Sequence, residues 1–276
     1  MWGTPYKAVE TTTPKPPKTE YANPACYMHS TNDCSTKISG EHYISENILR
    51  QFGPRLIVSG MPWQPAGQET RYGAGSLTAN ILCDRHNSAL SPLDAAAGRF
   101  FRELGIAYGH VTKRSLSTKT SFFLSSGEAL ESWAFKTLLG LYHGGISQAE
   151  GRRLVDRVSL DEATPIRALS GQRLKAPLGT YVQRNVGATF GDYLRCAPLI
   201  SKASGVLAGL RLDLRAVTFD FLIDEPEAAF YFRENANFHR PTVLDLVGRQ
   251  RTSRFFLSWT PLLPPEIHRV GIELGL

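Results

Sequence analysis

No long apolar run occurs in this chain. Across its 276 residues, nothing approaches the roughly 18 consecutive apolar positions that a membrane-crossing helix needs. The opening stretch, MWGTPYKAVETTTPKPPKTE, has no apolar segment of the secretory-signal kind, so a cytoplasmic location is the default expectation. Cysteine is also scarce. Four cysteines in a chain of this length do not make a disulfide framework, and no internal repeat points to a solenoid or propeller.

What is present is an ordinary globular composition, 42% hydrophobic and 10% aromatic, enough to bury a core. The formal net charge is +6 and the pI is near 9.2. An excess of Lys and Arg suits a phosphate-rich partner such as nucleic acid, because counterions leave the phosphate backbone on binding. Many soluble enzymes are equally basic, so charge alone identifies no partner.

Texture divides the chain into parts. Residues 1–24 are rich in Thr, Pro and Lys without hydrophobic periodicity and read as a flexible arm. Residues 25–101 read as a small metal-organised module, interrupted by a Gly/Pro-rich excursion in which Leu56 to Val58 suits a strand and Met61-Pro62-Trp63 suits a cover. A helix is expected from Leu82 to Leu104, restarting or kinking at Pro92. Ser125-Ser126-Gly127-Glu128 matches a capping box and predicts a helix from Glu128 to His143, with Trp133 and Leu138 on its apolar stripe and Gly144-Gly145 as its stop. Another short helix is expected between 151 and 170. The runs VTFDFLI, AFYFREN and RFFLSWT then read as strands. The expected class is α+β, with residues 102–276 forming a larger domain around an antiparallel sheet.

Three of the four cysteines fall in two short segments, CYMHSTNDCSTKISGEHYISEN and LTANILCDRHNSALSPLD. Zinc takes four Cys or His ligands, commonly as two close pairs from separate segments. Cys83 and His86, three apart, make one pair. Cys26 and Cys34 are the favoured second pair because thiolate binds zinc strongly, with His29 as a spare at the commoner spacing from Cys26. The plainer alternative is that these are buried free cysteines. A knot of this kind gathers Glu41, His42 and Asn87 into one neighbourhood. Carboxylate and amide oxygens suit Mg2+ or Mn2+, and a neutral imidazole beside them can take a proton from water, the ingredients of phosphodiester hydrolysis. Alternatively, Glu41 is a cap or surface charge and His42 an outer-layer hydrogen-bonding group. Asp94 either orients a basic residue or caps a helix.

The order C…C…EH…CxxHN, here Cys26…Cys34…Glu41-His42…Cys83-Asp84-Arg85-His86-Asn87, resembles the HNH nuclease superfamily, a ββα-metal finger with an embedded zinc knuckle. The resemblance spans about 75 residues, about a quarter of the chain. It implies a structural zinc on Cys26, Cys34, Cys83 and His86, and a metal-dependent endonuclease acting on DNA. His42 would be the general base, and Glu41 and Asn87 the ligands of the catalytic cation. Asn87 stands where the last histidine of the name would be, as in HNN variants. That substitution favours the alternative of a zinc-stabilised nucleic-acid-binding module whose catalytic site has decayed. The family's middle asparagine has no clear counterpart: Asn80, three residues before Cys83, lies in the wrong place, which leaves Asn47 as the residue to consider.

Residues 102–276 match no motif. Lys113-Arg114, Arg152-Arg153 and Arg249, Arg251 and Arg254 are candidate phosphate contacts or solvated faces, and Trp133 and Tyr181 are candidate base-stacking or core residues.

Overall fold

A computed structural model of the chain describes residues 17–61, 64–65, 67–114, 118–145, 148–149, 152–153, 158–188, 191–201, 203–226, 237–259 and 268–275. The run AFYFREN, most of the expected arm and Pro62-Trp63 lie outside the described residues. In chain order the elements are β1 (Ile38–His42), α1 (Glu46–Leu49), β2 (Arg55–Ser59), β3 (Glu69–Gly73), β4 (Thr78–Cys83), α2 (Asp84–Val111), β5 (Lys119–Ser126) and α3 (Gly127–His143). There follow β6 (Gln148–Ala149), β7 (Arg152–Arg153), α4 (Ala163–Leu169), β8 (Gly179–Gln183), β9 (Asn185–Ala188), β10 (Leu194–Ile200), β11 (Leu207–Leu214) and β12 (Val217–Leu222). The last are β13 (Asn237–His239), β14 (Val243–Val247), β15 (Arg251–Ser258) and β16 (Arg269–Leu274). Helices and strands mix in an α+β arrangement.

β1 and β4 pair antiparallel, Ile38 opposite Cys83 and His42 opposite Thr78, and β4 runs directly into α2. The expected helix therefore starts at Asp84 rather than Leu82. Nor does it break at Pro92. Proline lacks the N–H that would reach the carbonyl of Ser88; the hydroxyl of Ser91 donates to that carbonyl instead, at 2.9 Å, and one helix runs through. Its buried face, including Ala97, Phe100, Phe101 and Leu104, packs it against the core. α1 lies close on α2 because residue 98 is glycine: a Cβ there would sit 2.3 Å from Asn47 Nδ2.

Among the described residues the other strands form two hairpin-like pairs, β2 with β3 and β6 with β7, and two five-stranded sheets. One, ordered β10-β11-β12-β8-β13, is antiparallel throughout as expected. The other, ordered β5-β15-β14-β16-β9, is mixed, with β14 and β15 antiparallel and the other neighbours parallel. Phe100 on α2 touches both, its ring 5.9 Å from Phe219 and 5.5 Å from Phe255. A buried ion pair ties α3 to the antiparallel sheet: Arg240 Nη2 is 2.7 Å from Glu131 Oε1, and Thr180 donates its N–H and hydroxyl to Glu131 Oε2.

Residue 101 is no structural boundary. α2 crosses it, and Tyr43, Ile48, Leu49 and Leu56 share one continuous core with Trp133, Phe219 and Phe255. The arm also ends earlier than residue 24: Asn23 is buried, donates to the carbonyls of Ser35 and Thr36 and accepts from Ala25 N–H. Trp133 is fully buried and Tyr181 nearly so, which settles both as core residues rather than base-stacking platforms. α3 is capped by Ser126, one residue later than the capping-box reading, while Ser125 donates to Glu103.

Candidate metal centre and adjoining cleft

The Cys26–Cys34 segment folds into a tight loop whose backbone docks on β4, Tyr27 N–H donating to Ile81 O at 3.0 Å. An Arg85–Asp33 ion pair at 2.9 Å holds this loop to the first turn of α2. Four side chains converge there, Cys26, Cys34, Cys83 and His86, all buried, with their ligand atoms within 4.8 Å of one another. His86 Nδ1 lies 3.3 Å from Cys83 Sγ, 3.5 Å from Cys26 Sγ and 3.7 Å from Cys34 Sγ. A tetrahedron with ordinary Zn–S and Zn–N bonds separates sulfur from nitrogen by about 3.5 Å, so these spacings fit a zinc ion.

The imidazole tautomer fits as well. Thr31 donates its hydroxyl hydrogen to Met28 O at 2.8 Å, leaving its lone pairs to accept Nε2–H of His86 at 3.0 Å. That fixes the proton on Nε2 and turns the bare Nδ1 lone pair to the three sulfurs. Burial lowers the pKa of His86, keeping the ring neutral. Burial also pushes the Cys26 thiol up to about 12, and raises Cys34. At Cys83 burial is more than offset by backbone N–H groups of His86 and Ser35, and its pKa falls. His29, the spare ligand, is exposed instead, its Nδ1 3.0 Å from the carbonyl of Cys26. A small apolar cluster encloses the centre, with Leu139 from α3 and Ile166 from α4 closing it.

Beyond the first turn of α2, Glu41, His42 and Asn87 all line one cleft of about 300 Å³, together with Asn47, Asp94 and Lys136. The register of β1 against β4 slips between Ser39 and Glu41, a bulge of the kind that re-aims neighbouring side chains. Burial lowers the pKa of His42, so the ring is neutral at pH 7, and its Nε2 is buried with no hydrogen-bond partner among the described residues. Asn87 donates from Nδ2 to Ser39 Oγ at 3.0 Å, which leaves its carbonyl oxygen free of that bond. Asn80 lies on the exposed side of β4 and does not line the cleft.

Glu41 departs from its expected role. Its carboxylate is buried, and its Oε1 lies 2.6 Å from Nζ of Lys136, which reaches Asp94 Oδ2 at the same distance. Asp94 also accepts the hydroxyl of Ser45, which in turn accepts Nε1–H of Trp133 at 2.7 Å. Asp94 thus orients a basic residue; it caps no helix. Two carboxylates already share an ammonium here, so the donor set as arranged does not fit a divalent cation on Glu41.

Lys136 was not singled out by the sequence. Its signal is a lone lysine in α3 amid residues buried on every side, where a charge needs a partner. Thr31 and Ser45 carried no comparable signal. Comparisons with protein-family models, curated proteins and solved structures return no match to this chain.

Proposed function

We propose that this chain is an HNH-type phosphodiesterase acting on nucleic acid, with His42 as general base and a structural zinc on Cys26, Cys34, Cys83 and His86. The observation that carries the reading is the convergence of Glu41, His42 and Asn87 on one cleft beside the Cys/His cluster. β1 pairs with β4, which leads into α2, although α1, β2 and β3 intervene between the two strands in the chain; it is the resemblance that reads this arrangement as a ββα-metal finger. A neutral imidazole with an unpartnered, buried Nε2 suits a group that takes a proton from water as that water attacks phosphorus. The resemblance assigns Mg2+ or Mn2+ to Glu41 and Asn87, but the Lys136–Glu41 ion pair occupies that carboxylate, so no step is derived through the ion.

That ion pair favours a second reading, a zinc-stabilised nucleic-acid-binding module that no longer cuts. One experiment separates the two: nicking of supercoiled plasmid by zinc-loaded protein, with and without Mg2+ or Mn2+, beside H42A. The phosphodiesterase reading expects nicking by wild type and none by a folded H42A. Equal nicking by both removes His42 as the base. Salt-dependent DNA binding without any nicking selects the binding module.

A further inference from the structure

A second groove, of about 670 Å³, opens between α2 and the outer edge of the mixed sheet. It shares Ala95 with the cleft described above, so the two depressions meet on one helix. Its floor is apolar, with Leu124 and Phe256 side by side on β5 and β15, and Arg99 stands at its α2 wall. Phe122, next along the same face of β5, is 60% exposed, Leu124 76% and Phe256 41%. The rings of Phe122 and Phe256 lie 6.3 Å apart with planes 17° from parallel. Burying these rings would stabilise the fold, so a contiguous exposed patch of this kind marks a contact surface.

We propose that this groove binds single-stranded nucleic acid, seating bases on Phe122 and Phe256 and a phosphate on Arg99. The inference rests on the phosphodiesterase reading, which makes nucleic acid the occupant of the adjoining cleft. Aromatic faces bind bases by stacking, and only unpaired bases offer a free face. A duplex presents phosphates and base edges and has nothing to place on an apolar floor. The phosphates of such a strand also need positive charge. Arg99 is exposed, and Arg102, three residues further along α2, is exposed beside it. An apolar floor walled by arginine complements a stacked, anionic strand better than it does an uncharged apolar segment.

The test is fluorescence anisotropy of fluorescein-labelled 15-mer oligothymidylate and of a 15-base-pair duplex against the zinc-loaded full chain. Wild type, the double variant F122S/F256S and R99Q are compared, with zinc content and circular dichroism confirming their folds. The expectation is tighter binding of the single strand than of the duplex by wild type. Single-strand affinity falls about tenfold or more in F122S/F256S while duplex affinity hardly moves, given the typical worth of a stacked base. In R99Q the log-affinity against log-salt slope shrinks by about one phosphate contact. Unchanged single-strand binding in F122S/F256S overturns the proposal, as does an equal loss on the duplex. A wild-type dimer that F122S/F256S turns into a monomer overturns it too, since a second copy would then be the occupant. Plasmid cleavage is scored separately: loss of single-strand affinity in F122S/F256S without any cutting by wild type retains the groove and removes the phosphodiesterase reading, whereas cutting with unaltered variant binding does the reverse.

Discussion

The Cys/His knot and the cleft beside it sit on the same strand pair and helix, yet they balance charge in opposite ways. In the knot, three sulfurs and one imidazole nitrogen face one another, and the bare lone pair of His86 Nδ1 turns to the sulfurs. Among the described residues no Lys or Arg stands among these four ligand atoms, so the cluster is suited to a metal from outside. In the cleft, two carboxylates face one another and the protein supplies the cation itself, Lys136 from α3. The difference lies in reach. The knot's four ligands come from the N-terminal loop, β4 and the first turn of α2, with Leu139 of α3 and Ile166 of α4 packed against it, whereas the cleft is completed by a charged side chain far along the chain. Sets of ligands alone therefore do not say where a metal will sit; the neighbouring positive charge decides.

Four changes break or sharpen this contrast, from the largest effect to the smallest. Replacing a knot ligand, C83S, should abolish zinc binding and unfold the knot, because the binding free energy of a structural zinc is on the order of 10 kcal/mol and is folding energy for its module. Zinc analysis and thermal unfolding check this, and retention of one zinc with an unchanged melting point contradicts it. In the cleft, K136M should destabilise by about 3–5 kcal/mol, since Glu41 and Asp94 lose their counter-ion while Glu41 stays buried. Adding E41Q should recover part of that loss, as read by denaturant unfolding. No recovery would mean that the lysine acts through packing alone.

A smaller effect is expected from T31V, which removes the acceptor for His86 Nε2–H. Zinc affinity should fall about 10–100-fold with the fold retained at saturating zinc, as measured by competition with a chromophoric chelator. The smallest stability change is expected from H42A, because Nε2 of His42 has no hydrogen-bond partner among the described residues. Its unfolding free energy should change by less than about 1 kcal/mol, within the range of substitutions that touch no network. If His42 is the base, its neutral form is the active one. Burial lowers its pKa, so the acid limb of the cleavage profile should fall below the ordinary histidine value of 6.5. A limb above that value argues against His42.

The knot was legible in the sequence because zinc ligation is a matter of residue type and spacing, and Cys83 and His86 sit one helical turn apart. The α+β class, the strand at Arg55–Ser59, the helix ending at His143 and the all-antiparallel sheet followed from periodicity and turn residues. What failed depended on distant partners. Of the two expectations at Pro92, the fresh start is the one overturned: one helix runs through, with Ser91 bonding the carbonyl of Ser88 and a long buried face packed on the core. The parallel pairing of β5 with β15 joins strands more than a hundred residues apart, which no local pattern encodes. Glu41 reads as a metal ligand until Lys136 is placed beside it, and nothing within fifty residues of Glu41 announces that lysine.

The most direct test of two charge-balancing schemes on one strand pair and helix is a metal count. Purified full-length protein, equilibrated with zinc and manganese together and freed of unbound ions, is analysed by inductively coupled plasma mass spectrometry. The structure predicts one zinc and no manganese per chain. Absence of zinc would contradict the knot, and a stoichiometric manganese would show that a divalent ion displaces Lys136 from Glu41.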